Sequence, residues 1–415
     1  MPELPPDYQI RLVSSIRIPV SSVACGLLIA NLYYLQPLTP FIAREMGWTE
    51  QATAMLLPLA NAGYGLGLFF LLPLADFVDS RRLIGAMMAA VSISLFAISL
   101  SQDWLLMAIA TVMLGVSASV MQVIVPVVAG LSKASESGKT LGYLVVGITV
   151  GIGLARPLAS QVAALSGWNS IFLFSSVVLA LFTLLMIKVL PSAVVRLREG
   201  RQRFVSTMIA QKDLWLRYPV LRQRAVAQGW VFGSFSAFWA STPIYLASDN
   251  FGFGYDEMSV FALVAFAGVP VALFAGRIAD SRFKDRALGF SLSSLYLSAG
   301  LASVVLFFGP IAAVLVLALV VIVNEWSVNS HLILSQRTLF DLAPSYRGRI
   351  NSLFMAAFYL GGSLGAAVSV FSYMSWGWIA VCIQLWLMAV AANFCERWLG
   401  PRARSVSIPG VKTAE

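Results

Sequence analysis

Twelve stretches long and apolar enough to cross a bilayer run through this chain, separated by short polar or charged punctuation. They fall at 18–41, 51–75, 83–101, 104–131, 140–166 and 169–190, then at 225–247, 257–279, 287–308, 311–336, 350–373 and 377–396. About 20 apolar residues rising 1.5 Å each cover a hydrocarbon core of roughly 30 Å. Composition agrees, because 59% of residues are hydrophobic and 11% charged, whereas soluble globular chains are about a quarter charged. Most of the chain is therefore expected in lipid, as an all-α polytopic bundle.

Between the second and third stretches lies Leu74-Ala75-Asp76-Phe77-Val78-Asp79-Ser80-Arg81-Arg82. The pattern returns 204 residues later, between the eighth and ninth, as Ile278-Ala279-Asp280-Ser281-Arg282-Phe283-Lys284-Asp285-Arg286. A small residue, an aspartate and a basic cluster repeated at half the chain length mark a duplication, as in membrane bundles built from two related halves. The expected division is an N-terminal arm (1–17), a first six-helix half (18–190), a basic linker (191–224), a second six-helix half (225–396) and a C-terminal tail (397–415).

Cytoplasmic loops collect Lys and Arg. With the N-terminus inside, 26 of the 28 Lys and Arg fall in the arm, the inner loops, the linker or the tail, the exceptions being Arg44 and Arg156. Both termini are expected in the cytoplasm. The net charge of +9 follows from that orientation and is not a nucleic-acid footprint. Cys25, Cys382 and Cys395 lack metal-ligand or disulfide spacing and are expected to pack as small hydrophobes. No cleavable signal pattern precedes the first stretch, which is itself expected to span. Phe204, Met208 and Trp215 among the linker's basic residues fit either a helix lying on the inner leaflet or a solvated basic loop.

The first loop reads Leu72-Pro73-Leu74-Ala75-Asp76-Phe77-Val78-Asp79-Ser80-Arg81. It resembles the Gly-x-Leu-Ala-Asp-Arg-x-Gly-Arg-Arg signature that follows helix two in the major facilitator superfamily, with Leu72, Phe77 and Asp79 departing from it. The second copy keeps Gly276 and Asp280 and has Phe283 at the second glycine position. The resemblance covers nearly the whole chain and implies twelve helices in two pseudo-symmetric halves. Asn31-Leu32-Tyr33-Tyr34-Leu35-Gln36-Pro37-Leu38 and Phe235-Ser236-Ala237-Phe238-Trp239 are similar to a bacterial branch related to the drug/proton antiporters. That likeness implies a secondary transporter of the bacterial cytoplasmic membrane, exporting a small organic or amphiphilic solute in exchange for protons.

An aspartate near a helix N-terminus is favoured by the partial positive charge there, so the repeated loop can serve as a reversible latch. The resemblance places helix eleven beside the first loop. It thereby implies a cytoplasmic gate in which Asp76, with Arg81 and Arg82, meets Arg349 and Asn351, while Asp280, with Arg286, approaches Gly138 and Thr140. The alternative is that these charges only fix topology and end helices. Gly147, Gly151 and Ala155 in helix five, and Ala357, Gly361 and Gly365 in helix eleven, set small residues four apart on one face, a pattern for close helix approach. The resemblance implies that the glycines of helix five lie between the halves, where Gly63, Gly65 and Gly67 of helix two also fit.

Arg156 and Glu325 are the charges that this topology leaves well inside the membrane. An isolated charge at a helix centre costs about 2.5–3.5 kcal/mol on insertion scales, so such residues face a cavity or a partner. At 1.5 Å per residue they stand about 24 Å and about 17 Å from the cytoplasmic ends of helices five and ten. The expectation is an ion pair or a shared hydrated pocket: either Glu325 carries protons or contacts substrate beside Arg156, or the pair ties the halves together. His331, six residues beyond Glu325, suits proton handling or plain hydrogen-bonded packing. Asn324, Asn329 and Gln336 are expected to form a hydrated face with it.

In the family resembled, helices one, four, seven and ten line the central path. The implied substrate cavity is Asn31, Tyr34 and Gln36, with Tyr33 nearby, then Thr111 and Gln122, Trp230 and Trp239, and Asn329. Tyr245 fits an interfacial belt better. Thr111 stands where many antiporters of the family carry an arginine. Ser137-Gly138-Lys139-Thr140 lacks the first glycine and the strand of a phosphate-binding loop, and Gly151-Ile152-Gly153 lies within a spanning stretch. With no metal cluster or nucleophile triad either, no enzyme activity and no cofactor are expected. The expected partners are a small-molecule substrate, protons and the lipid bilayer, with no nucleic acid, and the chain is expected to be a monomer. Import or facilitation of a metabolite, and a non-transporting receptor or scaffold, are the competing readings.

Overall fold

A computed structural model describes residues 6–75, 78–132, 137–191, 200–268, 270, 274, 275, 278, 282–342 and 346–398. Asp76 and Asp280, the two aspartates of the expected gate, lie outside the described residues, as do Phe77 and Arg277. Before the linker come α1 (Pro6–Ala30), α2 (Leu35–Met46), α3 (Glu50–Ala54), α4 (Leu56–Leu74), α5 (Ser80–Leu100), α6 (Trp104–Ala118), α7 (Met121–Gly130), α8 (Ser137–Ser166) and α9 (Asn169–Val189). The linker holds α10 (Gly200–Arg217). After it come α11 (Pro219–Ala247), α12 (Tyr255–Ala262), α13 (Lys284–Val304), α14 (Pro310–Leu342), α15 (Arg347–Trp376) and α16 (Trp378–Trp398).

Among the described residues, nine helical spans are long and apolar enough to cross a membrane, or ten if the bent pair formed by Ile16–Ala30 and Leu35–Met46 is one span. Two expected stretches fall short for different reasons. α11 carries Arg222, Gln223, Arg224 and Gln228 in its first turns, and from Leu221 to Ala247 it is almost wholly buried by other helices. A helix enclosed by protein needs no apolar face for lipid. The stretch at 257–279 is interrupted, because α12 gives way to a 3-10 turn over Leu263–Ala267. By contrast, the outer surface is apolar: Ile93, Leu105, Phe174, Phe290 and Leu364 are all more than half exposed, a pattern that fits lipid contact.

Local sequence explains the helix limits. The Asp79 carboxylate accepts the Arg82 backbone N–H at 2.9 Å and caps α5, and Asp103 accepts that of Leu106 at 3.0 Å and caps α6. Asp79, a departure from the family signature, thus serves as a helix cap worth about 1 kcal/mol. Gly377, at φ 67°, makes the left-handed stop between α15 and α16. The linker helix α10 docks on the ends of α4 and α15, burying Leu214 and Gln211. It is therefore neither a solvated loop nor a helix apart from the bundle; the side chains of Phe204 and Met208 lie outside the described residues.

The expected glycine faces form the tightest packing, but not where the resemblance placed those of helix five. A Cβ on Gly147 would run into Ser22, and one on Gly151 into the Gly26 backbone, so α8 lies directly on α1. The same device recurs after the linker, where Gly361 and Gly365 of α15 lie on Gly229 and Gly233 of α11. Glycine therefore joins helices on the same side of the linker. Across it, α4 meets α15: Ser352 Oγ donates to the Leu68 carbonyl at 2.7 Å, and Ser363 Oγ to that of Pro58 at 2.7 Å. The rings of Tyr64 and Tyr359 lie 4.1 Å apart, with Gly65 against Leu360. Gly63 and Gly67 instead face α6 and its C-cap residue Ser119.

Candidate functional site

Three irregular backbone segments meet around Arg156. Between α1 and α2 the chain turns over Asn31–Tyr34 and bends by 45°, held by Asn31 Nδ2 donating to the Leu27 carbonyl at 2.8 Å and Ser175 Oγ donating to Asn31 Oδ1 at 2.7 Å. On α8, Pro157 follows Arg156 inside the helix, and its missing N–H takes away the usual helical donor of the Gly153 carbonyl. Gly153 in turn faces Phe266 of the 3-10 turn. Short 3-10 runs within a spanning stretch mark hinges and functional sites more often than chance.

Arg156 is fully buried. Its Nε donates to Gln36 Oε1 at 2.7 Å, and its guanidinium carbon lies 4.1 Å from the Trp239 ring centre, 4.7 Å from Tyr33 and 5.8 Å from Phe235. Desolvated cation–π contacts of this kind are worth about 2 kcal/mol each, which offsets part of the cost of burying the charge. Glu325 is also buried. Its Oε2 accepts from Asn329 Nδ2 at 3.0 Å, and the absence of a side chain on Gly268 leaves room for the carboxylate. The two charges interact through space but make no ion pair within 4.0 Å. Arg156 Nη1 and Nη2, Trp239 Nε1 and Glu325 Oε1 are buried with no hydrogen-bond partner among the described residues. Groups left this way normally cost about 1–3 kcal/mol each, so their concentration in one place needs a reason.

His331 belongs to a different cluster. The residues of α14 spaced 325, 329 and 336 face one way, and 324, 327 and 331 another, so its polar residues form two faces and not the single hydrated one expected. His331 Nδ1 hydrogen-bonds Gln228 Oε1 of α11, and its Nε2 lies 3.8 Å from Glu396 of α16. Glu396 pairs with Arg224 at 2.6 Å. Asn324 Oδ1 accepts from Ser298 Oγ at 3.0 Å, whereas Gln336 Nε2 donates to Asn351 Oδ1 at 2.9 Å on α15.

Of the residues expected in a substrate cavity, Gln36, Trp239 and Asn329 join the Arg156–Glu325 group. Asn31 and Tyr34 turn toward α9, with the Tyr34 ring edge-on to Phe172. Thr111 is buried on α6 without a partner for its hydroxyl among the described residues, and Trp230 is 39% exposed on the outside of α11. Gln122 lines a cavity of about 980 Å³ at the end of the bundle that carries the linker. Ser80, Gln211, Arg347, Arg349 and Asn351 share that lining. Arg81 is partly buried at the start of α5 and Arg82 exposed beside it, while Arg286 lies 6.0 Å from the Phe283 ring. The opposite end is closed by Arg44 Nη2 donating to the Ala247 carbonyl at 2.9 Å. Phe41 stacks there on Tyr255 at 3.8 Å, and Gln161 donates to Asp256 at 3.2 Å.

Several members of the site carried little signal. Phe235 stood out only through its motif, and Gly268 and Phe266 only as apolar residues of a spanning stretch. Tyr64 and Tyr359 had flanking glycines as their one mark. Gln228, Arg224 and Glu396 find His331 across gaps in sequence that no local spacing encodes.

An apolar helical bundle, closed at one end, hollow at the other and holding a buried charged centre between them, defines an integral membrane protein of the transporter class. The chain belongs to the Major Facilitator Superfamily, whose family model matches residues 22–366. It is 30% identical over 383 residues to YgaY of Escherichia coli, described as an uncharacterized transporter, covering 92% of this chain and 95% of that one. A probable transporter of Streptomyces coelicolor is 29% identical over 366 residues, covering 88% and 83% of the two chains. Among solved structures, an aspartate-to-alanine variant of the nucleoside transporter NupG superposes with a TM-score of 0.71 at 12% identity, over 92% of this chain and 99% of that one. A bacterial homologue of the human lysosomal transporter Spinster, inward-facing and occupied, gives 0.68 at 12% identity, over 92% and 96%. The chain is a transporter of this superfamily and not an enzyme.

Proposed function

We propose that the chain exports a small organic solute in exchange for protons by alternating access, with Arg156 and Glu325 at the centre of the path. The observation that carries this reading is the pair of buried, opposite and unjoined charges with open hydrogen-bonding positions, where a structural ion pair would be closed. Likeness to the drug/proton antiporters in Asn31–Leu38 and Phe235–Trp239 supports the direction. So does the placement of the cavity, which loads from the end where the basic linker lies. On the same reading the chain has twelve spans in two halves divided at 191–224, both termini in the cytoplasm of a bacterium, and works as a monomer in the inner membrane. The cavity end is then cytoplasmic, and Arg81, Arg82, Arg286 and Arg349 gate it together with Asp76 and Asp280.

Inside-out vesicles test the reading. A pH gradient is imposed, and proton movement is followed with a pH-sensitive dye as organic acids, bases and neutral amphiphiles are added in turn. The native chain should release protons with at least one solute class, and Glu325→Gln should abolish that release. Coupling retained in the glutamine variant removes Glu325 from the role, whereas flux without proton movement makes the protein a facilitator.

A further inference from the structure

We infer that the transported solute is a small organic monocarboxylate, held through its carboxylate by the free edge of the Arg156 guanidinium; this deepens the reading above and rests on it. The open valences at the centre are unequal. Arg156 Nη1, Arg156 Nη2 and Trp239 Nε1 are three donors without partners among the described residues, against a single acceptor, Glu325 Oε1. A ligand that satisfies such a set must bring acceptors. Because Arg156 Nε is already engaged by Gln36, what remains is the Nη1/Nη2 edge, two parallel N–H groups in one plane. That edge matches a planar carboxylate in bidentate fashion.

Charge selects among anions. Arg156 is the one cation among the described residues of the centre, and Glu325 already provides a negative group near it. A monocarboxylate adds one negative charge, whereas a phosphate monoester adds about 1.5–2 at neutral pH and would leave an excess in a dry site. An organic cation has only Glu325 Oε1 to answer it and would meet a guanidinium it must repel. Tyr33, Phe235 and Trp239 enclose the guanidinium with apolar ring surface, so the rest of the solute meets a surface suited to hydrocarbon.

The test uses the purified full chain in detergent and two matched probe series: benzoate, benzamide, benzylamine and phenyl phosphate, then hexanoate with its amide, amine and phosphate. Binding is read by thermal shift and by equilibrium dialysis. At least one carboxylate should bind saturably, and its amide, amine and phosphate partners at least about tenfold more weakly, the discrimination expected when a bidentate charged contact is lost. Arg156→Gln should abolish carboxylate binding. Arg156→Lys, which keeps the charge and loses the fork, should weaken it about tenfold and serves as the deciding variant if the glutamine form does not fold. The inference is overturned if an amine or amide binds as well as its acid, if neither acid binds, or if the lysine variant binds unchanged. Carboxylate binding without flux in vesicles would sink the transport reading and leave this one standing; proton-coupled flux of amines alone would do the reverse.

Discussion

Two buried charged clusters share α14, and they are built on opposite principles. Around His331 the charges are joined within the helices that follow the linker: Arg224 pairs with Glu396 at 2.6 Å, and His331 lies between Glu396 and Gln228. Around Glu325 the opposite charge comes from α8, before the linker, and the two do not join. A closed network inside one group of helices holds that group together whatever the rest does. An open one between groups leaves its valences for something that comes and goes. Burial of charge alone therefore says little about function; what distinguishes the clusters is whether the hydrogen bonding is complete.

Substitutions can break this contrast. The largest effect on transport should come from Arg156→Ala, a loss of about a hundredfold or more in vesicle flux, in line with about 2–5 kcal/mol for truncating a buried charge that holds a ligand. Its thermal midpoint in detergent should change little, because removing the open cation also removes its burial cost. Glu396→Gln should reverse the pattern, lowering stability by about 2–4 kcal/mol in detergent unfolding, since Arg224 is left without its partner, while flux per folded molecule is kept. If Glu396→Gln abolished flux at native stability, the division between the clusters would be wrong.

Smaller effects sharpen the picture. Gly361→Ala pushes a methyl group into the Gly229 backbone and should cost about 1–3 kcal/mol of stability, as overpacking does. Gly151→Ala, against Gly26, should cost a similar amount, and a large difference between the two would show that the two pairs are not equivalent. Ser352→Ala removes one bridge from α15 to α4 and should cost about 1 kcal/mol at most. Its better readout is access: a cysteine at Gln122 should react faster with a water-soluble maleimide in the Ser352→Ala background.

Much of this was legible before any coordinates. Spanning helices follow from apolar length alone, and α4, α5, α8, α9, α13, α15 and α16 begin or end within a few residues of the expected stretches. Arg156 and Glu325 stood out because lipid makes charge expensive. Partnership was much less legible. The faces of α14 are fixed by helical spacing, but which neighbour each face meets depends on the packing of α8, α11, α15 and α16. The glycines show the same limit: their spacing marks close approach, yet only the assembled bundle reveals that α8 spends its glycines on α1. Arg44, an exception to the charge rule, turned out to close the end opposite the linker.

The three breaks in the backbone at Asn31–Tyr34, Pro157 and Leu263–Ala267 lie at one level, and Arg156 is wedged among them. A straight rod passes a push from end to end unchanged, but a jointed rod turns it into a swing. With an arm of ten residues, about 15 Å long, a bend of only about 10° moves the far end of a helix by about 2.6 Å. That is the thickness of a water molecule, enough to open or seal one mouth. Because the joint and the binding group are the same few residues, whatever settles on the guanidinium also sets the stiffness of the hinge.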